Sequence, residues 1–397
     1  MERFLAAGIA MTLAFGIMTA WIADPWAVFL LYGLVFLLGA TWAASLLARP
    51  RQIRFNFGMA LVAIAAAWGV VQLLFGATVN RWATMNAVLL SSANATLFLL
   101  SLQLFSNVAR REALLRWLLY GGVALALEAL FQLYTANRRI FWIFETHDQH
   151  EIIMGPVPYH NHFAAIIALV LPIGLYFAFL NSKNLVSHGW MVGLLAGAVF
   201  ASQSRSGSIL VVLEVIILSP LVGRRSSMRA KLARAGIVLL LVIIGGAVAG
   251  WEGLWARLHQ GDSTRIVVSK TSLEMTRRGP FAGYGLGTWP TVYPTFAHFD
   301  DGLFMNQGHD DWLQWAAEGG LPFAAVMACF AVIISIQAFR VRWGAGIPAV
   351  LVLCFGDFPL QKPAVCLLLF TIAGAVSASV PWRLSARQCA KAADPAA

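Results

Sequence analysis

The chain has 397 residues, of which 59% are apolar and 12% charged, against roughly 45–50% and about 25% in an ordinary soluble domain. That composition excludes a typical cytosolic enzyme, and it excludes a disordered chain, which needs low hydrophobicity and high charge. The formal charge of +10 raises nucleic acid as a partner, but in so apolar a chain Lys and Arg are read first as markers of membrane topology.

A helix that crosses the hydrocarbon core needs about 20 mostly apolar residues. Twelve stretches predict such helices: 4–23, 26–48, 55–77, 82–106, 113–134, 161–180, 187–203, 207–222, 235–251, 321–339, 345–360 and 363–380. The first has an apolar run longer than the roughly 7–15 residues of a signal peptide and a weakly charged start, Glu2-Arg3, so it reads as a retained helix. With the N-terminus inside, eighteen of the 28 Lys and Arg fall on inner segments, among them Arg49, Arg51, Arg54, Arg110, Arg111 and Arg224. The short outer loops hold only Arg81, Arg138, Arg139, Arg205 and Lys362. This bias fits an even number of spans with both termini in the cytoplasm. It sets most of the charge against anionic lipid, so membrane lipids replace nucleic acid as the expected partner. The four cysteines, Cys329, Cys354, Cys366 and Cys389, have neither metal-ligand nor disulfide-framework spacing.

Two outer connections, 135–160 and 252–312, are long and polar and carry most of the outer acids. Long connections in compact proteins are usually functional. The expected organisation is nine spans in 1–251, one long loop with amphipathic helices in 252–312, three spans in 313–382 and a cytoplasmic tail in 383–397. No internal repeat is evident.

Three outer segments gather polar groups. At 159–163, Tyr-His-Asn-His-Phe reads either as a set of interfacial helix-start residues with Asn161 as N-cap or as a site in which His162 moves or donates a proton. The turn Ser202-Gln203-Ser204-Arg205-Ser206-Gly207 places an arginine between two apolar helices. That is costly unless the arginine is paired or wet, and its fork suits a phosphate; snorkelling to headgroups is the bland alternative. In the long loop, Gly261-Asp262-Ser263-Thr264-Arg265 predicts a helix start capped by Asp262 or Ser263, with Arg265 in a first turn that already favours anions. Arg265, Ser269, Ser272 and Thr276 share one face; Ile266 and Leu273 lie on another, which also fits a surface helix on headgroups.

Farther on, the glycines of 279–287 predict a tight loop whose backbone approaches ligand or membrane. A short helix begins near His309 and ends at Gly319-Gly320 with Pro322 behind it, placing Asp310, Gln314 and Glu318 on one face. Asp310 and Asp311 suit a divalent cation, orientation of His309, or a helix cap. Asp357 and Lys362 flank the last outer turn as a simple pair.

The order Asn161-His162-Phe163-Ala164, Ser204-Arg205-Ser206-Gly207, Arg265, Gly283-Tyr284-Gly285-Leu286-Gly287-Thr288, His309-Asp310-Asp311-Trp312 with Glu318-Gly319-Gly320, and Asp357-Phe358-Pro359-Leu360-Gln361 resembles the O-antigen ligase and polymerase superfamily. The resemblance covers roughly residues 155–365. It implies an all-α polytopic membrane glycosyltransferase of the GT-C type with one long periplasmic loop, in the bacterial inner membrane. It implies a donor glycan on undecaprenyl diphosphate and no cofactor or metal. Matched position by position, the family's essential arginines fall on Arg205 and Arg265 and its essential histidine on His309; Asp310 stands where asparagine is usual.

On this reading, Arg205 and Arg265 stabilise charge developing on the diphosphate without a metal, with Arg139 and Arg81 as helpers. His309 accepts the proton of the attacking hydroxyl, with Asp310 or Glu318 orienting its ring and Asn161, His162 and Ser204 contacting substrate. The acceptor is lipid A–core for a ligase, a second lipid-linked repeat for a polymerase, or a Ser/Thr for a protein O-oligosaccharyltransferase. The single long loop favours the ligase, and the chain length argues against the third. A polysaccharide transporter is the alternative of another class, weakened by the missing repeats.

Overall fold

The computed structural model describes residues 1–145, 152–180, 184–221, 263–298 and 304–380, with isolated positions between 227 and 243. Over these residues the chain is all-α, with thirteen helices and one minute hairpin. In chain order they are α1 (Glu2–Met18), α2 (Pro25–Ala48), α3 (Phe57–Leu74), α4 (Arg81–Leu104), α5 (Val108–Thr135), β1 (Arg139–Ile140), β2 (Phe144–Glu145), α6 (His160–Leu180), α7 (Asn184–Ala201) and α8 (Arg205–Leu221). There follow α9 (Ser263–Arg278), the single turn α10 (Trp289–Val292), α11 (Asp311–Val341), α12 (Gly346–Leu353) and α13 (Pro363–Ser379). Six of them, α2 to α6 and α11, are long and apolar enough to cross a membrane, and shorter apolar helices accompany them. The protein is a multi-pass membrane protein.

Local chemistry sets the boundaries. Asn56, Asn80 and Asn107 cap α3, α4 and α5 by accepting from Met59, Ala83 and Arg110 backbone N–H at 2.8, 3.1 and 3.1 Å; each such cap is worth about 1 kcal/mol. α6 is apolar on every side, as a helix buried all round must be, and nearly its whole length is buried between α5, α7, α8 and α12. α13 packs along α4, and α3 lies between α4 and α11.

Most expected spans coincide with helices. The stretch 235–251 lies outside the described residues save for isolated positions, and Asp262, one of the two proposed caps of α9, lies outside them too. The stretch 345–360 is a correction: it is helical only over Gly346–Leu353, about 12 Å at 1.5 Å per residue, against a hydrocarbon core of about 30 Å. Gly346 rests on the backbone of Ala168 and Leu169, midway along α6. Beyond Cys354 the chain is drawn into side-chain bonds and a 3₁₀ turn at Pro359–Gln361 instead of continuing a helix.

The two ends of the bundle differ. At one end Glu2 pairs with both Arg51 and Arg110, and Gln103 exchanges hydrogen bonds with the Arg54 backbone. At the other end stand the starts of α4, α6, α8, α11 and α13, with α9 packed on α11. There α9 buries Val268 and Met275 against Trp289, Tyr293 and Ala317, while Ile266 and Leu273 stay exposed on its other face.

Candidate active site

The polar residues of that second end converge on Asp357, which is 1% exposed. Its carboxylate accepts from the Asn161 amide and, at 2.7 Å, from the Phe358 N–H. His162 Nε2 stands 3.9 Å away. Asn161 in turn accepts the Ser204 hydroxyl at 2.6 Å, and Ser204 Oγ receives the Gly207 N–H at 3.2 Å. One acid therefore couples the start of α6 to the start of α8, whose first residue is the partly buried Arg205. Asn161 is not the expected N-cap: the Tyr159 carbonyl already accepts from His162 and Phe163 N–H at 3.0 and 3.2 Å, which leaves the Asn161 side chain for this link.

Arg265 reaches the same cluster from α9. Its guanidinium donates to the Gly356 carbonyl at 2.9 Å and to the Tyr159 hydroxyl at 3.1 Å. Phe358 is the apolar hub. Tyr159 stacks on it at 5.6 Å, and His162 and His309 stand edge-on to it at 5.0 and 4.9 Å. The Lys362 ammonium lies 5.6 Å from the ring centre, and Asp357 is close enough to act on its charge. His309 occupies a left-handed turn at φ 51°, directly before α11. Asp310 is the cap of that helix, accepting the Leu313 N–H at 2.9 Å, and Asp311 folds the last outer turn by accepting from Leu360 N–H at 3.0 Å and Gln361 Nε2 at 2.8 Å.

Burial sets the charge states here. It pushes the Asp357 carboxyl upward against the opposing pull of Arg265, the Phe358 N–H and Asn161. It raises Asp310 against the Leu313 and Trp312 N–H groups, and it lowers Lys362, with Asp357 opposing. Removing a charge from water always favours the neutral form.

Other expected site residues lie elsewhere. Arg139 pairs with Glu145 at 2.8 Å on the β1–β2 hairpin, and Arg81 is the exposed first residue of α4. No contact among the described residues joins either to the Asp357 cluster. Glu318 is fully occupied inside: its carboxylate accepts from Gly287 and Trp289 N–H at 2.9 and 3.0 Å and from Gln314 Nε2 at 3.0 Å. The glycine-rich loop thus packs on protein backbone. Gly283 and Gly285 have φ of 65° and 106°, and a Cβ on Gly283 would run into the Glu318 carbonyl. Sequence reading missed Gln72, which closes this seam by donating to the Ala282 and Glu318 carbonyls at 2.7 and 2.9 Å and accepting the Leu286 N–H at 3.0 Å. It also missed Asp357 and Phe358 as the hub. The shared Asp-Phe-Pro motif was their signal; Gln72 had none beyond being polar near a span's end.

No curated protein matches the chain. The family described as O-antigen ligase, Wzy_C, matches over residues 190–328, a stretch that holds Arg205, Arg265, the glycine-rich loop, His309 and Glu318, while Asn161, His162 and Asp357 are brought to it from outside by the fold. Over residues 190–328 the chain is therefore similar to the O-antigen ligase family.

Proposed function

We propose that the protein transfers a glycan from undecaprenyl diphosphate to the hydroxyl of lipid A–core at the periplasmic face of the bacterial inner membrane, both termini being cytoplasmic. The observation that carries this reading is the junction at Phe358: an arginine held by a carbonyl and a phenol, and a histidine ring, meet around one residue, next to the turn that bears Arg205. Arg265 and Arg205 hold the diphosphate and stabilise the charge it gains as the bond to the anomeric carbon breaks. The acceptor oxygen bonds to that carbon from the opposite face, inverting it, and its proton passes to the His309 imidazole. Polyprenyl diphosphate leaves. Asn161, His162 and Ser204 position the sugar side of the site; Asp310 supports it by fixing the helix start behind His309. The architecture is of the GT-C type, and the reaction needs no metal.

Purified protein in vesicles, given lipid-linked donor and lipid A–core acceptor, forms the joined product without a glycan gradient, and chelators leave the rate unchanged. Restoration of a chelated preparation by a divalent cation refutes the metal-free mechanism. Glycan movement without bond formation assigns the protein to transport. Product made only when the acceptor is a second lipid-linked repeat assigns it to the polymerases, the reading that the same motifs support next.

A further inference from the structure

α9 lies across the site end of the bundle, and both of its ends are tied to residues from which membrane helices depart. At its start, Arg265 donates to the Gly356 carbonyl and to the Tyr159 hydroxyl. Tyr159 immediately precedes α6, and Gly356 lies shortly before the turn that opens α13. Just beyond its other end, the Pro280 carbonyl accepts the Leu321 N–H at 2.8 Å. Leu321 begins the part of α11 that follows the kink at Gly320. That part, 321–341, is about 31 Å long at 1.5 Å per residue, which matches a hydrocarbon core of about 30 Å. The two anchors therefore hold α9 at the depth where the apolar spans begin and headgroups replace hydrocarbon.

The helix has two unlike faces. Val268, Ser272, Met275 and Thr276 are buried, on the side packed against α11 and Trp289. The opposite side carries Ile266, Lys270, Leu273 and Arg277, all exposed, in a single stripe at helical spacing. The stripe holds no acid. Glu274, the one acid of α9, is occupied by Arg278 at 2.7 Å and His298 at 3.0 Å. Lys270 and Arg277 make no hydrogen bond or ion pair among the described residues. Such a stripe suits neither water, to which it bares Ile266 and Leu273, nor the hydrocarbon core, in which its charges are costly. It suits the layer between them, where apolar side chains and stems lie inward and charged heads reach the phosphates.

We propose that this stripe of α9 is a docking surface for anionic phospholipid, seated in the headgroup layer at the site end of the bundle with Lys270 and Arg277 on the lipid phosphates. Charge complementarity selects the occupant: two cations and no acid face a layer in which only anionic lipids carry net charge to meet them. Arg265 stands in the first turn of the same helix, so seating the stripe also fixes Arg265 over the site, and transfer responds to the anionic lipid around the protein. That coupling rests on the transfer reading above; the docking surface does not.

The test uses the full-length protein in nanodiscs of phosphatidylcholine and phosphatidylglycerol, with Cys329→Ala and Cys389→Ala and a fluorophore on Leu273→Cys. Phosphatidylglycerol spin-labelled high on its acyl chain should quench the fluorophore more than phosphatidylcholine labelled at the same carbon, at equal mole fraction. A fluorophore on Ile266→Cys should repeat the result at the other end of the stripe. Lys270→Gln and Arg277→Gln should each lower the preference about fivefold, the worth of one cation near an anionic surface. Quenching by neither lipid places the stripe in water and overturns the proposal; equal quenching by both overturns the selection by charge. Loss of the preference when lipid A–core is added hands the stripe to the acceptor and overturns it as well. Transfer by the wild type should rise with phosphatidylglycerol content, and transfer by the double variant should not; the same rise in both overturns the coupling through Arg265 and leaves the transfer reading standing. The lipid preference in a protein that transfers glycan from no lipid-linked donor keeps the docking surface and sinks the enzyme assignment.

Discussion

At the residue scale, the cluster separates groups that touch substrate from groups that hold the touching ones. Arg205→Ala and Arg265→Ala should each lower the transfer rate by about 10²–10³, the cost of removing one oriented donor from a developing oxyanion. Lysine at either position recovers little, because the planar fork is lost. His309→Ala should cost about 10²–10⁴; near-wild-type turnover would remove it from the reaction. Asp357 acts through others, so its replacement should be read in stability as well as rate. Asp357→Asn spoils the pairing with Asn161 and the Phe358 N–H at a buried site, a loss of about 1–3 kcal/mol. Its pH signature has a definite sign. Burial raises the native carboxyl above its ordinary 3.8, so between 3.8 and the raised value the native protein keeps a proton that the unfolded chain has released. Stability then falls as pH rises through that window and is flat above it. Asp310 shifts in the same direction and adds to the slope. Thermal midpoints measured across mildly acidic pH should show a shallower decline in Asp357→Asn than in wild type; an unchanged slope would assign the effect to other acids.

At the scale of elements, the kink in α11 explains what the sequence could and could not reveal. Gly319-Gly320 with Pro322 announces a helix end, and the chain does leave the helix there, at Gly320 with φ 76° and ψ 173°. It resumes at once, so a short helix and a span follow each other without a loop. That continuation is tertiary: Leu321 N–H donates to the Pro280 carbonyl at 2.8 Å, and Glu318 holds the loop on the other side of the seam. Periodicity and capping made the apolar helices, the start of α11 and the small residues of the loop legible, because those are local. The truncation of α12 was not legible, since 345–360 is apolar enough to span and what meets its end is tertiary: Asp311 donates its N–H to the Cys354 carbonyl at 2.9 Å and accepts from Leu360 and Gln361. Asp357 was hidden for the same reason: its partners Asn161 and, through it, Ser204 are distant in sequence. The seam yields its own prediction. A Cβ on Gly320 would strike the Phe281 carbonyl in a backbone region that costs a side-chain-bearing residue about 1–3 kcal/mol. Gly320→Ala should therefore expose 279–288 to protease and lower the thermal midpoint, whereas Gly33→Ala, which meets nothing within 4 Å, should leave both unchanged.

At the scale of the whole molecule, chemistry and topology are tied together by the two ends of the bundle. The basic residues around Glu2 mark one end; the cluster around Asp357 marks the other. Lys and Arg tend to stay on the cytoplasmic side during insertion, so the transfer proposed above expects the site at the periplasmic face, where lipid-linked glycans meet lipid A–core. Two exposed residues separate the ends cleanly: Leu47, 88% exposed near the end of α2, and Phe281, 78% exposed in the glycine-rich loop. In whole cells, a membrane-impermeant maleimide should label Phe281→Cys directly and Leu47→Cys only after permeabilisation, judged against the background of the native cysteines. The opposite pattern would turn the bundle over and place Arg205, Arg265 and His309 in the cytosol. The donor glycan and its acceptor would then lie across the bilayer from the residues assigned to them, and no adjustment of side-chain roles within the cluster would rescue the mechanism.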